Sequence, residues 1–283
     1  MKRLICFAAL VGLALALAVA AQETSEAIIK QARELSDQEK YEESNKLLLD
    51  LQKRDPQADT YWRIAENYYN IAERLPKEKK DEKLKLYALT EEWARKGMEK
   101  DPNLAENTFW TAVGISQQAV VRGIANSLSL ADDIEQMYKK TLTLKPVYVS
   151  DDDSTISNAH FALCVFYRKV PEWRIMEWIF GARGDLDKSV TECTEAVKMF
   201  SNNHEYMKEL GMSYTCRGTR RDQAQDVSEG KNYLQKVIEM PAKDQLDRID
   251  QQDAKLVMDD PSLACGYSRI QQEEVSQSAV KKP

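Results

Sequence analysis

Prolines that end helices recur along the sequence, and this recurrence constrains the fold more than any other feature. Proline cannot continue a helix, because it lacks an amide hydrogen and its ring clashes with the preceding turn. The residues five, eight and twelve positions before Pro56 are Leu51, Leu48 and Ser44, which share one helical face. Each proline therefore predicts the end of a helix, and the stripe before Pro56 predicts that this helix is amphipathic. The prolines are Pro56, Pro102, Pro146 and Pro241.

A second pattern combines an apolar or aromatic residue, a small residue and a tyrosine at helical spacing. It occurs at Trp62, Ala65 and Tyr69, and most completely in the segment Met207–Tyr214. The two patterns together resemble the two helices of a tetratricopeptide hairpin, in which the small residue lets the helices approach closely. We therefore expect an all-α, tetratricopeptide-like right-handed helical solenoid of about five degenerate helical hairpins with insertions.

Three segments carry a further likeness. They are Trp110–Ile115, Arg122–Asn126 and the aromatic insertion Trp173–Phe180. Together they resemble the regulator of microtubule dynamics family, whose members are tetratricopeptide-like helical proteins. The resemblance implies this fold and a non-enzymatic interaction role, and microtubule binding is not carried over because we expect export. The layout is also similar, more weakly, to the tetratricopeptide-type T component of periplasmic tripartite transporters.

The N-terminal residues predict a secretory signal peptide over residues 1–21. Lys2 and Arg3 precede the apolar run Leu4–Val19, and Ala18 and Ala20 form a small-residue cleavage pattern. We therefore expect a periplasmic or extracellular protein. An uncleaved membrane anchor remains the alternative, since the apolar run is near the lower limit for a membrane span. We expect the helical array over residues 22–245, then a polar C-terminal tail over 246–283 that is disordered beyond 270.

Composition and motifs argue against most other functional classes. The formal net charge of −6 does not favour nucleic acid or an anionic membrane as a partner. The sequence has no Gly-rich phosphate loop, H-E-x-x-H or G-x-S-x-G motif, so we predict neither an enzyme nor a cofactor. His160 and His204 do not cluster with cysteines, so no metal site is predicted either. The acidic run Asp151–Asp153, followed by Ser154, predicts a loop and a helix cap.

Four cysteines follow the predicted signal peptide. Cys164 and Cys193 fall on packing stripes, where we expect them to be small apolar core residues. Cys216 and Cys265 do not fall on stripes, and a disulfide between them would hold the tail against the last hairpin. Three pairings of four cysteines are possible, and the sequence alone does not choose among them.

The first helices of successive hairpins should line a concave face, and polar side chains there could hold an extended peptide or a carboxylate. The aromatic side chains of the insertion either cap the solenoid or form an apolar ligand pocket. The predicted concave-face residues are Arg63, Asn67, Asn70, Phe161, Arg168 and Lys208. The predicted pocket residues are Trp173, Trp178 and Phe180.

Two functions fit these features. The first is a non-enzymatic scaffold or adaptor of the cell envelope that binds a protein or peptide on its concave face. The second is a periplasmic accessory subunit that binds a hydrophobic small molecule for a transporter. A polar, open groove would favour the first function, and a deep pocket lined by the aromatic insertion would favour the second.

Overall fold

The computed structural model describes residues 25–269, and this range forms twelve α-helices and three short 3-10 helices without a β-strand. The predicted signal peptide and the stretch predicted to be disordered both lie outside the described residues. The first helix, α1, covers residues 25–37. The others are α2 (Tyr41–Arg54), α3 (Ala58–Arg74), α4 (Lys80–Lys100), α5 (Ala105–Arg122), α6 (Ala131–Thr141), α7 (Thr155–Lys169), α8 (Arg174–Phe180), α9 (Leu186–Met199), α10 (His204–Arg221), α11 (Ala224–Glu239) and α12 (Gln245–Asp259). The 3-10 helices are Ile124–Asn126, Leu128–Leu130 and Pro261–Leu263.

These helices pair in chain order into five hairpins, which confirms the predicted helical-repeat fold. The pairs are α1 with α2, α3 with α4, α5 with α6, α7 with α9, and α10 with α11. Helix α8 is the insertion within the fourth pair, and α12 packs on α11 after the last pair. The predicted boundary at residue 245 thus falls on the first residue of a further helix of the array. Of the described helices, none is long and apolar enough to cross a bilayer.

The predicted stripes are buried. Ser44, Leu48 and Leu51 of α2 are at most 1% exposed, and α2 ends at Arg54, two residues before Pro56. Full burial of one leucine side chain stabilises the fold by about 1.5–3 kcal/mol relative to leaving it in water. The helix-ending prolines and the buried stripes together account for the local hairpin structure.

Helices α10 and α11 approach closely because two glycines face each other. A Cβ atom on Gly230 would lie 2.2 Å from Thr215 Oγ1 and 2.7 Å from the carbonyl oxygen of Gly211. A Cβ atom on Gly211 would likewise lie 2.9 Å from the side chain of Leu234. The Leu-Gly step in the segment Met207–Tyr214 therefore serves helix contact, as expected for a tetratricopeptide-type hairpin.

Helix α5 lies in the middle of the array. It packs against α3, α4, α6 and α7, and every residue from Ala105 to Ile115 is buried. Its sequence is apolar or small around most of the helix, which is the pattern expected of a helix covered on several sides.

Two disulfides cross-link the C-terminal half. Cys216 in α10 is bonded to Cys265, and this bond holds the segment that follows the last 3-10 helix. Cys164 in α7 and Cys193 in α9 are buried as expected, but they form a second disulfide instead of remaining free thiols. The disulfide forms because the packing stripes of α7 and α9 face each other. The Cα atoms of Cys164 and Cys193 are 5.2 Å apart, which is within the range that a disulfide can join.

Candidate functional site

A cavity of about 430 Å³ lies where the first helices of the hairpins face the end of the chain. Helices α3, α5, α7 and α10 are successive neighbours, and α12 packs on α10. All five contribute side chains to the cavity, as does the segment Tyr267–Arg269. The volume lies in the range typical of small-ligand sites.

One wall of the cavity is apolar and aromatic. Phe109, Trp110 and Val113 come from α5, and Phe166 comes from α7. The ring centroids of Phe109 and Trp110 lie 5.2 Å apart, as do those of Tyr69 and Trp110. Such aromatic contacts stabilise the wall beyond the burial of their area.

Another part of the cavity lining is a network of buried charges. The Nζ of Lys208 lies 2.7 Å from Asp250 Oδ1 and 3.3 Å from Glu209 Oε1. Arg168 forms an ion pair with Glu209, and its side chain is fully buried. Burial alone would raise the pKa of Asp250, but Arg269 and Lys208 hold that pKa below its usual range. The network therefore consists of buried charges that compensate one another.

The segment after the last 3-10 helix passes through this network. Arg168 Nη1 donates to the carbonyl oxygens of Ala264, at 2.6 Å, and Tyr267, at 3.2 Å. The ammonium group of Lys169 donates to the carbonyl oxygen of Gly266. Side chains of α7 thus hold the main chain of this segment through its carbonyl oxygens.

Arg269, the last described residue, reaches three carboxylates. Its Nη2 lies 2.7 Å and 2.9 Å from the two carboxylate oxygens of Asp250. Its Nη1 lies 3.1 Å from Glu205 Oε1 and 3.9 Å from Glu73 Oε2. Burial raises the pKa of Glu205 to about 7 in spite of the arginine. This end of the cavity therefore surrounds a guanidinium group with carboxylates from α3, α10 and α12.

Glu66 of α3 also lines the cavity, but no described residue forms a hydrogen bond or an ion pair with its carboxylate. Burial raises the pKa of Glu66 to about 8, and the nearby Arg63 opposes this shift only in part. Arg63 is itself paired with Asp59, at 2.9 Å.

An ion pair joins two loops that border the cavity. Lys243, between α11 and α12, lies 2.5 Å from Asp152, between α6 and α7. The amide of Asn203 donates to the carbonyl oxygen of Asp152 at 3.1 Å. Ser154 caps α7 and forms a capping box with Ser157, as the sequence predicted for the end of the acidic run.

Four of the six predicted concave-face residues line the cavity, and two do not. Arg63 lies over the ring of Trp62, at 4.2 Å, and does not line the cavity. Asn67 is 1% exposed and donates to Ser44 and Asn45 of α2, so it supports the first hairpin. The four residues that line the cavity are Asn70, Phe161, Arg168 and Lys208.

The prediction of a pocket formed by the aromatic insertion is wrong. Trp178 is 81% exposed, whereas Trp173 and Phe180 pack partly on the core. Helix α8 has seven residues, and its buried core position belongs to Met176. Trp173 borders a crevice of about 20 Å³, which is room for little more than one water molecule.

Several cavity residues were not predicted. Glu66 and Glu73 could have been found, because they share a face of α3 with Asn70 at positions i, i+4 and i+7. Asp250 and Arg269 could not, because their placement depends on where the end of the chain crosses the array. No group of histidine, cysteine and acidic residues suited to a metal ion occurs within residues 25–269.

The fold and the cavity define a helical-repeat protein of the tetratricopeptide type. A solved structure of a thermophilic TPR protein from Thermus thermophilus is similar, with a TM-score of 0.54 and 13% sequence identity. The similarity covers 82% of this chain and 99% of that one. At this identity the likeness shows the fold alone.

The model of the family "Regulator of microtubule dynamics protein 1-3" matches residues 28–261, and the chain belongs to this family. The matched range runs from α1 to the last 3-10 helix, so it includes every hairpin. A comparison with curated protein sequences found no match.

Proposed function

We propose that the protein is a non-enzymatic scaffold or adaptor of the cell envelope, which binds a segment of a partner protein in the cavity formed by its first helices. The observation that carries this proposal is the cavity of about 430 Å³ between the five helices, which is lined by an apolar wall and by carboxylates. Apolar walls supply most of the binding free energy in such sites, and a few polar groups orient the ligand. Helical-repeat proteins commonly use this inner surface for recognition.

The proposed location in the envelope is supported by the two disulfides and by the N-terminal apolar run. Disulfides persist in oxidising compartments and are rare in the cytosol of most organisms. Cys164–Cys193 and Cys216–Cys265 would therefore suit a periplasmic or extracellular protein.

The second candidate, a carrier of a hydrophobic small molecule, is supported by the aromatic wall of the same cavity. Phe109, Trp110 and Phe166 would contact such a ligand. The aromatic insertion plays no part in this version, because Trp178 faces solvent.

Native mass spectrometry of the protein purified from its own envelope tests both candidates. A Val165→Trp variant, which places an indole in the cavity, should lose the co-purifying species, because Val165 lines the cavity. A Val149→Trp variant is the matched control, because Val149 is 64% exposed and lies outside the cavity. A co-purifying protein favours the scaffold, and a bound apolar molecule favours the carrier. Equal retention by the two folded variants would contradict both.

A further inference from the structure

We infer that the cavity selects ligands that carry an ammonium or guanidinium group beside an apolar group, and that Glu66 receives the positive charge. The inference deepens the proposed function and rests on it, because it specifies the chemistry of the segment that the cavity binds. It excludes acidic segments as preferred ligands.

The first support is the arrangement of acidic residues on α3. Glu66 and Glu73 lie seven residues apart, so both face the cavity, about 10 Å apart along the helix axis. Glu73 accepts from the Tyr87 hydroxyl at 2.5 Å and lies near Arg269. Glu66 has no such partner among the described residues, and its side chain is partly buried. Partial removal from water makes the negative charge of an unpaired carboxylate less favourable, and a cation in the cavity would offset that effect.

The second support is that carboxylates of the cavity already bind one basic side chain of the protein itself. The guanidinium of Arg269 lies among Asp250, Glu205 and Glu73. The protein thus already places one basic side chain against carboxylates of α3, α10 and α12. Glu66 offers an equivalent group on α3, two turns towards its N-terminus, and Arg269 does not reach it.

The third support is the balance of charges around the cavity. Nine carboxylates and five Lys or Arg side chains line it. The basic side chains are engaged: Lys208 and Arg269 contact Asp250, and Lys243 contacts Asp152. Arg168 and Lys169 donate to the chain segment described above. An anionic ligand would meet more carboxylates than basic groups, and each basic group already has an acceptor within the protein, whereas a cationic ligand would gain carboxylate partners.

The surroundings of Glu66 add a dependence on pH. Burial raises the pKa of Glu66 most, and Asp153 and Asp37 add to this effect, so together they outweigh Arg63 on α3 and Arg33 on α1, which favour the charged form. With a pKa of about 8, Glu66 must lose its proton when it receives a cation. Affinity for a cationic ligand should therefore increase with pH, by up to about tenfold per unit below pH 8.

Three capped tripeptides test the inference on the full protein by isothermal titration calorimetry at pH 8.5 and 6.5. The peptides are acetyl-Leu-X-Phe-amide, in which X is lysine, its uncharged analogue norleucine, or glutamate. We expect the lysine peptide to bind at least tenfold more tightly than the norleucine peptide at pH 8.5, with a smaller difference at pH 6.5. The Glu66→Gln variant should abolish this preference. The Glu92→Gln variant is the matched control, since Glu92 is an exposed residue of α4, and it should retain the preference.

The possible results separate the inference from the proposed function. Equal binding of the lysine and norleucine peptides, or tightest binding of the glutamate peptide, would overturn the cation preference and leave a binding cavity. Saturable binding of the lysine peptide that is unaltered in Glu66→Gln would overturn the role of Glu66. Absence of binding by all three peptides would count against both the inference and the proposed function. The comparison of peptides on the unmodified protein does not depend on the folding of any variant.

Discussion

Replacing Arg168 tests how the charge network holds the end of the chain. The Arg168 side chain is fully buried, forms an ion pair with Glu209, and donates to the carbonyl oxygens of Ala264 and Tyr267. Arg168→Met keeps an unbranched side chain of similar length but removes the charge and all these donors. Glu209 then keeps only Lys208, at 3.3 Å, as a positive partner.

The expected loss of stability follows from these contacts. Removing one partner of a buried ion pair costs about 3–5 kcal/mol, because the other charge remains buried. Two hydrogen bonds from a charged donor contribute about 1.5–3 kcal/mol each, and this overlaps with the first figure. We therefore expect Arg168→Met to lower the free energy of unfolding by about 3–5 kcal/mol. The double variant Arg168→Met/Glu209→Met should lose at least about 2 kcal/mol less than the sum of the single losses.

Urea unfolding monitored by circular dichroism measures these values. Arg95→Met is the control, because Arg95 pairs with Glu91 on the surface, and its loss should stay below about 1 kcal/mol. Additive single losses, or a loss at Arg168 no greater than that at Arg95, would refute the buried network.

Three further predictions follow from burial, loop length and charge. Cys216→Ser and Cys265→Ser should each lower the free energy of unfolding by about 4 kcal/mol, because the bond closes a loop of 49 residues; a denaturant midpoint unchanged from the unmodified protein would contradict this. Met176→Ala should lower the free energy of unfolding by about 2–5 kcal/mol, whereas Trp178→Ala should change it by less than about 0.5 kcal/mol, because only the methionine is buried. Thermal unfolding compares the two variants, and equal losses would argue against the placement of α8. Glu66 has a pKa of about 8 in the folded state and its ordinary pKa of 4.5 in the unfolded state, so the folded state binds the proton more tightly. The free energy of unfolding should therefore fall as the pH rises between these two values, by up to about 1.4 kcal/mol per pH unit. Glu66→Gln should flatten that decline in urea titrations at several pH values, and an unchanged dependence of the free energy of unfolding on pH would contradict this explanation.

The hairpins were predictable because their packing is local. Pro56 and the stripe before it mark α2 without reference to distant residues, and the Leu-Gly step in the segment Met207–Tyr214 marks the close approach of α10 and α11. The repeat is therefore visible in the sequence even though insertions interrupt it.

The site was less predictable, because each helical residue turns the side-chain direction by about 100°. Asn67 was expected in the groove, but Glu66 and Asn70 face the cavity and Asn67 faces α2. A small error in the assumed rotation of α3 about its own axis is enough to exchange these roles. Arg168 and Lys208 line the cavity, and their principal partners there belong to the protein itself.

The end of the chain could not be placed by periodicity. Asp250 and Arg269 are nineteen residues apart in sequence and meet because the chain turns back after α12. Trp178 was misjudged for a related reason, since a helix of seven residues buries only one side and Met176 occupies it.

Photo-crosslinking in the producing cells tests the central claim, that the cavity between the first helices is the binding site, most directly. Phe161 lines the cavity and packs against Tyr206, with ring centroids 5.5 Å apart, so p-benzoylphenylalanine at this position would contact a bound ligand. The same group in place of Lys96, an exposed residue of α4, is the control. We expect irradiation to produce a covalent adduct from position 161 that is absent from position 96. Adducts from position 96 alone, or identical adducts from both positions, would contradict binding in the cavity.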